Sequence, residues 1–326
     1  MKPRIGFLGT GWIGRHRMEA MLESAAIEAI GIADPSPEMA QQAAQLAPHA
    51  QVVDGLAALL ALEPDGIAIA TPSALHADQS IAALERGLAV FCQKPLGRTA
   101  GEAKAVVEAA RTADRLLAVD FSYRYTEGMR RIAELVRGGD LGRLYAADLV
   151  FHNAYGPDKP WFYDAAQSGG GCVMDLGVHL VDLALWLFGE DVSEVSSRLY
   201  AKGDPLKPGD ARVEDYAVAQ LTLAGGASVR LACSWRLDAG QDAVIAADFH
   251  GTEGGAALRN VNGSFYDFTA EHFRGTAREM LASPPDAWGG RAAVDWAQRL
   301  VAGERFDPTA QELVRVAAVL DRIYGR

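Results

Sequence analysis

The sequence predicts an α/β fold, in which a doubly wound parallel sheet is followed by an α+β domain with a mostly antiparallel sheet. Short apolar runs alternate with helical patterns to about residue 120, as in a parallel sheet covered by helices on both faces. Beyond that point, longer strand-like runs follow one another with turn signals between them. A chain of 326 residues has room for two domains, and we expect them to comprise residues 1–121 and 122–326.

The first helix and strands surround a glycine-rich turn, G-T-G-W-I-G, which runs from Gly9 to Gly14. A strand precedes this turn, a helical pattern follows it, and a second strand over 28–33 ends before Asp34. Gly9 permits the tight turn, Gly11 lets the backbone approach a pyrophosphate, and Gly14 lets the helix pack closely on the strand. The N–H groups at the start of the helix can bind the phosphates, so this segment predicts a dinucleotide site.

Asp34 indicates which dinucleotide binds. A carboxylate at this strand end accepts hydrogen bonds from the adenosine ribose hydroxyls and repels a 2′-phosphate. No Lys or Arg occurs from residue 31 to residue 47 to neutralise such a phosphate. The pattern therefore favours NAD over NADP.

Three further buried strands are predicted over 65–70, 88–92 and 115–119, with helices over 74–86 and from Thr99 to about residue 113. Ligands of parallel sheets bind at the carboxyl ends of the strands, where Thr71, Gln93 and Lys94 lie. A lysine in such a crevice supplies positive charge beside a developing alkoxide. The alternative is a solvated lysine in a loop.

The second domain is predicted to begin with a helix that ends near Gly138. Strands are expected over 143–153, 195–202, 216–223, 227–236 and 243–250, and the turn at 223–227 predicts an antiparallel hairpin. Asp307-Pro308 is a suitable start for a C-terminal helix that packs on the main body.

A glycine-rich stretch in this domain, Ser168–Asp182, carries the candidate chemistry. Asp175, His179 and Asp182 occupy positions i, i+4 and i+7 of one predicted helical face, where a proton could be transferred. The glycines before them would allow the backbone to approach a ligand. The alternatives are a solvated acidic stripe and a zinc site, although no further His or Cys lies at ligand spacing.

Aromatic residues are concentrated just before this stretch, between residues 151 and 169. Such side chains can stack on the apolar face of a sugar ring or simply pack together. They are Tyr155, Trp161, Phe162 and Tyr163.

Composition and charge narrow the class of protein further. Apolar residues make up 49% of the chain and charged residues 22%, as in ordinary globular proteins. The net charge of −11 opposes binding to nucleic acid. We found no signal-peptide pattern and no uncharged apolar run of about 18 residues, which argues against a membrane partner. Cys92, Cys172 and Cys233 lie far apart, which favours reduced thiols in the cytoplasm.

Four motifs together give the chain a strong resemblance to a known family. They are G-T-G-W-I-G at residue 9, A-T-P-S-A-L-H at 70–76, Q-K-P at 93–95 and G-G-G-C-V-M-D-L-G-V-H-L-V-D at 169–182. In this order and spacing, the chain resembles the glucose–fructose oxidoreductase/inositol dehydrogenase/MocA family along almost its whole length. The resemblance implies a Rossmann domain followed by a domain built on a large open sheet. The exposed face of that sheet commonly forms oligomer contacts, which implies a homodimer or homotetramer.

The resemblance also assigns roles to residues. It implies that Lys94, Asp175 and His179 form the catalytic group. We expect no metal, since no further His or Cys lies at ligand spacing. The usual residue of the family at position 93 is Glu, whereas this chain has Gln93, which lacks a negative charge beside Lys94. The cofactor residues would be Gly9, Gly11, Trp12, Ile13, Asp34, Thr71, His76, Gln93 and Lys94, and the substrate residues Arg124, Tyr125, Asn153, Trp161 and Asp175.

We therefore expect an NAD-dependent oxidoreductase that acts on a secondary or anomeric hydroxyl of a sugar, inositol or related polyol. Two alternatives share the fold. One is a glycosidase that retains NAD and oxidises its substrate only transiently, and the other is a non-enzymatic NAD-binding regulator. Asp182 could orient His179 or be structural, and the sequence leaves this choice open.

Overall fold

The computed structural model describes residues 2–207 and 209–326, which form two compact units. The first unit runs to Ser122 and also contains Gly289–Val314. The second comprises Tyr123–Trp288 and Arg315–Arg326.

The first unit is built on a six-stranded parallel sheet. Its elements are β1 (Arg4–Leu8), α1 (Trp12–Glu23), β2 (Glu28–Ala33), α2 (Pro37–Leu46), β3 (Gln51–Val52), α3 (Gly55–Ala61), β4 (Gly66–Ile69), α4 (Ser73–Glu85), β5 (Ala89–Cys92), α5 (Ala100–Ala113) and β6 (Leu117–Val119). The strand order is β3-β2-β1-β4-β5-β6, and all neighbours pair in parallel. The order reverses between β1 and β4, which is where ligands of such sheets bind. The predicted doubly wound sheet is confirmed.

The second unit is built on a nine-stranded sheet. Its elements up to the last strand are α6 (Glu127–Gly138), β7 (Leu144–Asn153), α7 (Ala165–Ser168), α8 (Val178–Phe188), β8 (Val192–Ala201), β9 (Asp204–Pro205), β10 (Tyr216–Leu223), β11 (Ser228–Ser234), β12 (Ala243–Gly251), β13 (Gly255–Asn260), β14 (Phe268–Arg274) and β15 (Ala277–Ala282). The strand order is β15-β14-β13-β12-β7-β11-β10-β8-β9. Strands β7 and β11 pair in parallel, and the other described neighbours pair antiparallel. This confirms the predicted mostly antiparallel sheet and the β10–β11 hairpin.

The last two helices are α9 (Arg291–Val301) and α10 (Gln311–Tyr324). Helix α9 belongs to the first unit, so the chain does not divide simply at residues 121 and 122 as the sequence suggested. Its Trp296 is fully buried, with its ring centroid 5.9 Å from that of Phe91 in β5. A Cβ on Gly66 would lie 3.0 Å from the Trp296 ring, so β4 accommodates this indole by having no side chain there.

Helix α8 is largely apolar and buried, and it packs against β7 and β11 of the nine-stranded sheet. The helical stretch Ala165–Phe188 has the length and hydropathy of a membrane span, but 83% of its most apolar window is buried inside the protein. That is the environment of a core helix. Its buried apolar residues are Val178, Leu180, Val181, Leu183, Ala184, Leu185 and Leu187.

Candidate active site

The glycine-rich turn between β1 and α1 has the geometry that a pyrophosphate requires. Gly9 has a φ of +81°, and a Cβ there would lie 2.6 Å from the carbonyl oxygen of Ala70. A Cβ on Gly14 would collide with the carbonyl of Gly9. The N-cap of α1 is Gly11, which has no side chain to bind the first N–H groups of the helix. Those groups and the positive end of the helix dipole suit an anionic ligand.

Asp34 is fixed beside this turn. Its Oδ2 accepts from the backbone N–H of Thr10 at 2.6 Å, and its Oδ1 accepts from that of Ser36 at 2.8 Å. Oδ2 also accepts from the hydroxyl of Thr10 at 3.4 Å. Oδ1 keeps a further lone pair that could accept from a ribose hydroxyl. Arg15, on the following helix, donates to Gln42 of α2. Residues 31–47 contain no Lys or Arg, whereas Arg15 reaches Gln42 of this segment from α1.

Other predicted cofactor residues lie around the strand ends. Trp12 is 57% exposed and stacks on His16, with ring centroids 5.9 Å apart. Ile13 is partly exposed in the first turn of α1. Thr71 follows β4 and donates from its hydroxyl to Gln79 at 2.6 Å. Their contacts with a cofactor stay predictions.

His76 contacts the protein's own backbone through both of its ring nitrogens. Its Nδ1 lies 2.7 Å from the carbonyl oxygen of Pro95, and its Nε2 lies 2.7 Å from that of Thr71. The ring is buried, and that burial lowers its pKa although both carbonyls favour the protonated form. Both ring nitrogens are directed at the protein's own backbone. His76 therefore links the loops that follow β4 and β5, and its contact with the cofactor stays a prediction.

Gln93, at the end of β5, takes part in a buried polar cluster that the sequence did not reveal. Its Nε2 donates to Oδ2 of Asp120 at 2.5 Å, and the Nε of Arg17 donates to the same oxygen at 2.6 Å. All three side chains are buried. Asp120 could have been recognised from its position directly after β6, because polar residues at strand ends face the ligand edge of a parallel sheet.

In the second unit, the predicted catalytic helix begins with a π turn. Residues Val173–Gly177 form this turn, and α8 continues from Val178. Single π turns within helices occur frequently at functional sites. The turn widens the helix at Asp175, so the regular i, i+4 spacing to His179 that the sequence predicted is interrupted.

His179 lies in an aromatic environment. Its side chain is buried, and its ring centroid is 4.9 Å from that of Tyr123 in an edge arrangement and 6.4 Å from that of Phe151. Such surroundings restrict the orientation of the imidazole and exclude water from most of it. A histidine held in this way suits directed proton transfer.

Asp175 is held by an indole that the sequence analysis missed. The Nε1 of Trp235 donates to Oδ2 of Asp175 at 3.0 Å. Trp235 is itself buried and packs against Tyr163 and Phe162, at centroid distances of 5.4 and 6.3 Å. These two aromatic residues thus support the position of the carboxylate. Trp161 stacks on Phe162 at 3.8 Å, and its role toward a sugar stays a prediction.

Asp182 forms a buried ion pair with Arg124. Its two oxygens accept from Nη2 at 2.6 Å and from Nε at 2.9 Å, and its side chain is 1% exposed. The guanidinium also lies 5.5 Å from the ring of Trp186. This geometry favours a structural role for Asp182 and engages Nε and Nη2 of Arg124 within the protein.

Two of the three glycines before the π turn, Gly170 and Gly171, are packed against the protein itself, whereas the sequence suggested that they approach a ligand. A Cβ on Gly170 would collide with the hydroxyl of Tyr324, and one on Gly171 with the carbonyl of Glu214. The buried carboxylate of Glu214 accepts from Gly171 N–H at 3.0 Å, Val173 N–H at 2.9 Å and the Tyr324 hydroxyl at 2.7 Å. Burial raises the pKa of Glu214, and these donors oppose the shift.

The remaining predicted substrate residues are near the ends of elements. Asn153 ends β7, and Tyr125 lies before α6 with the guanidinium of Arg130 5.5 Å from its ring. Among residues 2–207 and 209–326, no group of three or more His, Cys, Asp or Glu is arranged to hold a metal. The three cysteines are buried and unbridged.

A Rossmann sheet with this glycine turn and acidic strand end defines a dinucleotide-binding protein, and comparison with known proteins identifies its family. Residues 3–121 match the model of the oxidoreductase family with an NAD-binding Rossmann fold. Residues 129–257 match that of the GFO/IDH/MocA C-terminal domain. The chain belongs to the GFO/IDH/MocA family of oxidoreductases. This confirms the resemblance and the predicted cofactor, NAD.

Individual relatives share about three tenths of their residues with this chain. A putative UDP-kanosamine synthase oxidoreductase subunit from Amycolatopsis mediterranei S699 is 30% identical over 79% of this chain and 75% of its own length. The D-glucoside 3-dehydrogenase of Escherichia coli K12 is 28% identical over 71% and 70%, respectively. Alignments with several other relatives span less than two thirds of their length, for example 64% of the Rhizobium meliloti MocA protein.

Solved structures show the same fold. Levoglucosan dehydrogenase in complex with NADH superposes with a TM-score of 0.85 over 100% of this chain and 96% of its own, at 22% identity. At that identity the similarity shows the architecture of the chain.

Proposed function

We propose that this protein transfers a hydride between NAD and a secondary or anomeric hydroxyl of a sugar, inositol or related polyol. The observation that carries the proposal is the pair of groups at the start of α8. A buried imidazole, His179, follows a carboxylate, Asp175, that an indole N–H fixes in place. The names of relatives support the substrate class, since they include a D-glucoside 3-dehydrogenase and an inositol 2-dehydrogenase.

The roles of the residues follow from their chemistry. His179 takes the proton of the reacting hydroxyl as a general base. Lys94 stabilises the resulting alkoxide with its positive charge. Asp175 binds a substrate hydroxyl with a carboxylate whose other contact is already fixed by Trp235. Bound NAD supplies the hydride acceptor, C4 of the nicotinamide.

The residues of the first unit fit NAD. Gly9 and Gly14 leave no room for a side chain where the backbone turns, and Gly11 begins α1 without a side-chain cap. Asp34 is anchored by two backbone N–H groups and carries the charge that suits unmodified ribose hydroxyls.

The proposal is tested by incubating the purified protein with NAD⁺ and a panel of sugars, inositols and polyols while absorbance at 340 nm is followed. We expect NADH to form with at least one neutral polyol. Cleavage of a glycoside without net NADH would instead support the NAD-retaining glycosidase. Tight NAD binding with no turnover on any member would support the regulator.

We also propose that the protein is a homodimer or homotetramer that associates through the outer face of the nine-stranded sheet. Two ion pairs lie on this face, Asp148–Arg230 at 2.5 Å and Asp248–Arg259, with Asp148 directly opposite Asp248 in the β7–β12 pairing. Light scattering after size exclusion would give the mass, and a monomer would contradict the proposal. The reduced, unbridged cysteines support a cytoplasmic location.

A further inference from the structure

The buried cluster formed by Arg17, Gln93 and Asp120 has no assigned role in the mechanism above. Gln93 directly follows β5, and Asp120 directly follows β6, the neighbouring strand of the parallel sheet. Both side chains therefore lie at the carboxyl edge of the sheet, where the cofactor of this fold binds. Asp120 is 1% exposed, so its contacts are made in a medium where hydrogen bonds are strong.

The orientation of the Gln93 amide is set by Asp120. An amide nitrogen donates and an amide oxygen accepts, whereas an ionised carboxylate only accepts. The 2.5 Å contact between Nε2 of Gln93 and Oδ2 of Asp120 is therefore favourable in one orientation only. The opposite orientation would place two acceptor oxygens against each other. Asp120 thus directs Oε1, the acceptor of Gln93, away from the cluster.

Arg17 keeps this arrangement electrically neutral. Its Nε donates to the same Oδ2 at 2.6 Å, and its side chain is 8% exposed. A buried carboxylate without a paired cation would be strongly destabilising. A glutamate at position 93 would bring a second negative charge against Asp120, with one arginine to offset both. Glutamine is therefore the residue type that fits beside Asp120.

One buried carboxylate oxygen of the cluster lacks a hydrogen-bond donor among the described residues. Oδ1 of Asp120 is buried and accepts no hydrogen bond from the described residues. A side chain retained only for stability would use both oxygens, because an unsatisfied buried acceptor is costly. This observation points to a functional constraint on the carboxylate.

We propose that Asp120 is a positioning residue for the cofactor. It fixes the amide of Gln93 so that Oε1 accepts a hydrogen bond from a hydroxyl of the nicotinamide ribose, and Arg17 maintains its charge. This inference rests on the NAD-binding part of the proposed function and is independent of which polyol is oxidised.

The test is a charge exchange between the two positions, with NAD⁺ affinity measured by titration calorimetry on the full chain in the absence of substrate. Gln93→Glu should raise the Kd for NAD⁺ at least about tenfold, because the two carboxylates repel. Asp120→Asn should raise it about fivefold, because an amide at position 120 no longer selects one orientation of Gln93. The double variant Gln93→Glu/Asp120→Asn should return to within about threefold of wild type, because the asparagine amide can donate to the glutamate.

Asp307→Asn is the matched control. It removes an ion pair to Arg299 of 2.8 Å within the same unit, on a segment remote in sequence from the strand ends. We expect it to lower the melting temperature and leave the Kd for NAD⁺ unchanged.

The inference would be overturned if the exchange variants changed only the melting temperature, or if the double variant bound NAD⁺ no better than Gln93→Glu. Should Gln93→Glu fail to fold, Asp120→Asn alone decides: an unchanged Kd refutes the role. Loss of turnover with every polyol would contradict the proposed reaction but not this inference, because affinity is measured without substrate.

Discussion

Three polar side chains on one helical stretch have different partners, and these partners separate their roles. Asp182 is neutralised by Arg124 in a buried pair, whereas Asp175 accepts from an indole N–H and His179 lies among aromatic rings. A carboxylate already bound in a bidentate ion pair has little capacity left to orient an imidazole. We therefore assign proton handling to His179 and substrate contact to Asp175, with Asp182 holding the helix in place.

The first prediction concerns His179 and Lys94. His179→Ala should lower kcat by about 10² to 10⁴, the usual contribution of a positioned acid–base residue. Lys94→Ala should lower it by a similar factor through lost stabilisation of the alkoxide, with a smaller effect on the affinity for NAD⁺. Both are measured by steady-state kinetics at 340 nm. If His179→Ala kept more than about a tenth of wild-type turnover, another group would have to accept the proton.

Asp182→Asn separates structure from catalysis at the same helix. Removing one partner of a buried ion pair leaves the charge of Arg124 uncompensated, so the free energy of unfolding should fall by about 3–5 kcal/mol. In the fraction that remains folded, kcat should change less than it does in His179→Ala. Urea unfolding and active-site titration together give both quantities. A fully stable variant with a severe loss of kcat would make Asp182 the group that orients the imidazole.

Cofactor choice is also a property of single residues. We expect greater thermal stabilisation by NAD⁺ than by NADP⁺, because the anchored carboxylate of Asp34 repels a 2′-phosphate. Arg15 does not remove this preference, since its guanidinium is engaged with Gln42. Asp34→Ala should narrow the difference in melting temperature between the NAD⁺ and NADP⁺ complexes. Gln42→Ala, which releases Arg15, should narrow this difference less. Equal stabilisation of the wild type by both cofactors would contradict this account.

At the level of elements, the sequence predicted helices and strands well where their ends depend on residues close by in the chain. The sequence placed β2 at 28–33, as observed, and Thr99 does cap α5 by accepting from Glu102 N–H at 3.2 Å. At α4 the prediction was slightly wrong, because Ser73 is the first helical residue and Pro72 is the N-cap. Strands over 255–282 were not predicted, since their pairing depends on neighbours in the sheet.

In the site, too, residues within short motifs were predicted, whereas contacts between residues distant in the chain were not. The motifs around Gly9, Lys94 and His179 are contiguous in the chain and were visible. The partners Trp235 and Arg124 lie 60 and 58 residues from the carboxylates that they bind. No periodicity encodes such distant contacts. The π turn was hidden too, because the sequence between Gly171 and Gly177 has the composition of an ordinary helix.

The C-terminal end of α10 is predicted to stabilise the start of the catalytic helix. Tyr324→Phe removes the hydroxyl that donates to the buried carboxylate of Glu214, which in turn binds the N–H groups of Gly171 and Val173. The free energy of unfolding should fall by about 1.5–3 kcal/mol, the value of a hydrogen bond to a charged group. Tyr145→Phe, at an exposed tyrosine, is the control and should change it by less than about 0.5 kcal/mol.

The stabilisation by Glu214 should also depend on pH. Burial raises its pKa above 4.5 in the folded chain, so folding takes up a proton on this group between the two values. The contribution of protonated Glu214 to the free energy of unfolding is full at a pH below 4.5 and is lost as pH rises through the raised pKa. The wild type should therefore gain stability relative to Glu214→Gln as pH is lowered from neutral toward 4.5. Urea unfolding of both proteins across this range measures the difference, and parallel pH profiles would contradict it.

At the scale of the whole molecule, the chain combines two units of different architecture and carries a net charge of −11. Segment 289–314 belongs to the first unit, and residues 315–326 belong to the second, so neither unit is one continuous segment of chain. The acidic balance adds a general repulsion toward anionic ligands that is screened by salt. The carboxylate of Asp175, which we propose to contact the substrate, would also repel an anionic ligand.

The last prediction is that the substrate is a neutral polyhydroxylated ring rather than a phosphorylated or carboxylated metabolite. An anion calls for free Arg or Lys side chains, preferably bidentate. Lys94 is assigned to the alkoxide, and the fork of Arg124 is bound to Asp182. Lys159 lies in the aromatic loop, and Arg236 donates to the hydroxyl of Tyr163 in that loop at 3.3 Å. Asp175 and Asn153 instead offer hydroxyl-binding groups, and Trp161 a surface for a sugar ring.

A matched pair of substrates tests this prediction: an inositol or aldose that the enzyme oxidises, and its phosphate or uronate counterpart, compared by kcat/KM. We expect the neutral member to be preferred, and the preference to weaken as salt is raised, because the repulsion by the net charge is screened. Lys159→Ala should leave kcat/KM for the neutral member within about twofold of wild type, since an uncharged ring gains little from a surface cation. A preference for the anionic member above about tenfold, roughly 1.4 kcal/mol of transition-state binding, would refute the neutral-ring assignment. If Lys159→Ala then abolished that preference, Lys159 would be the anion-binding residue.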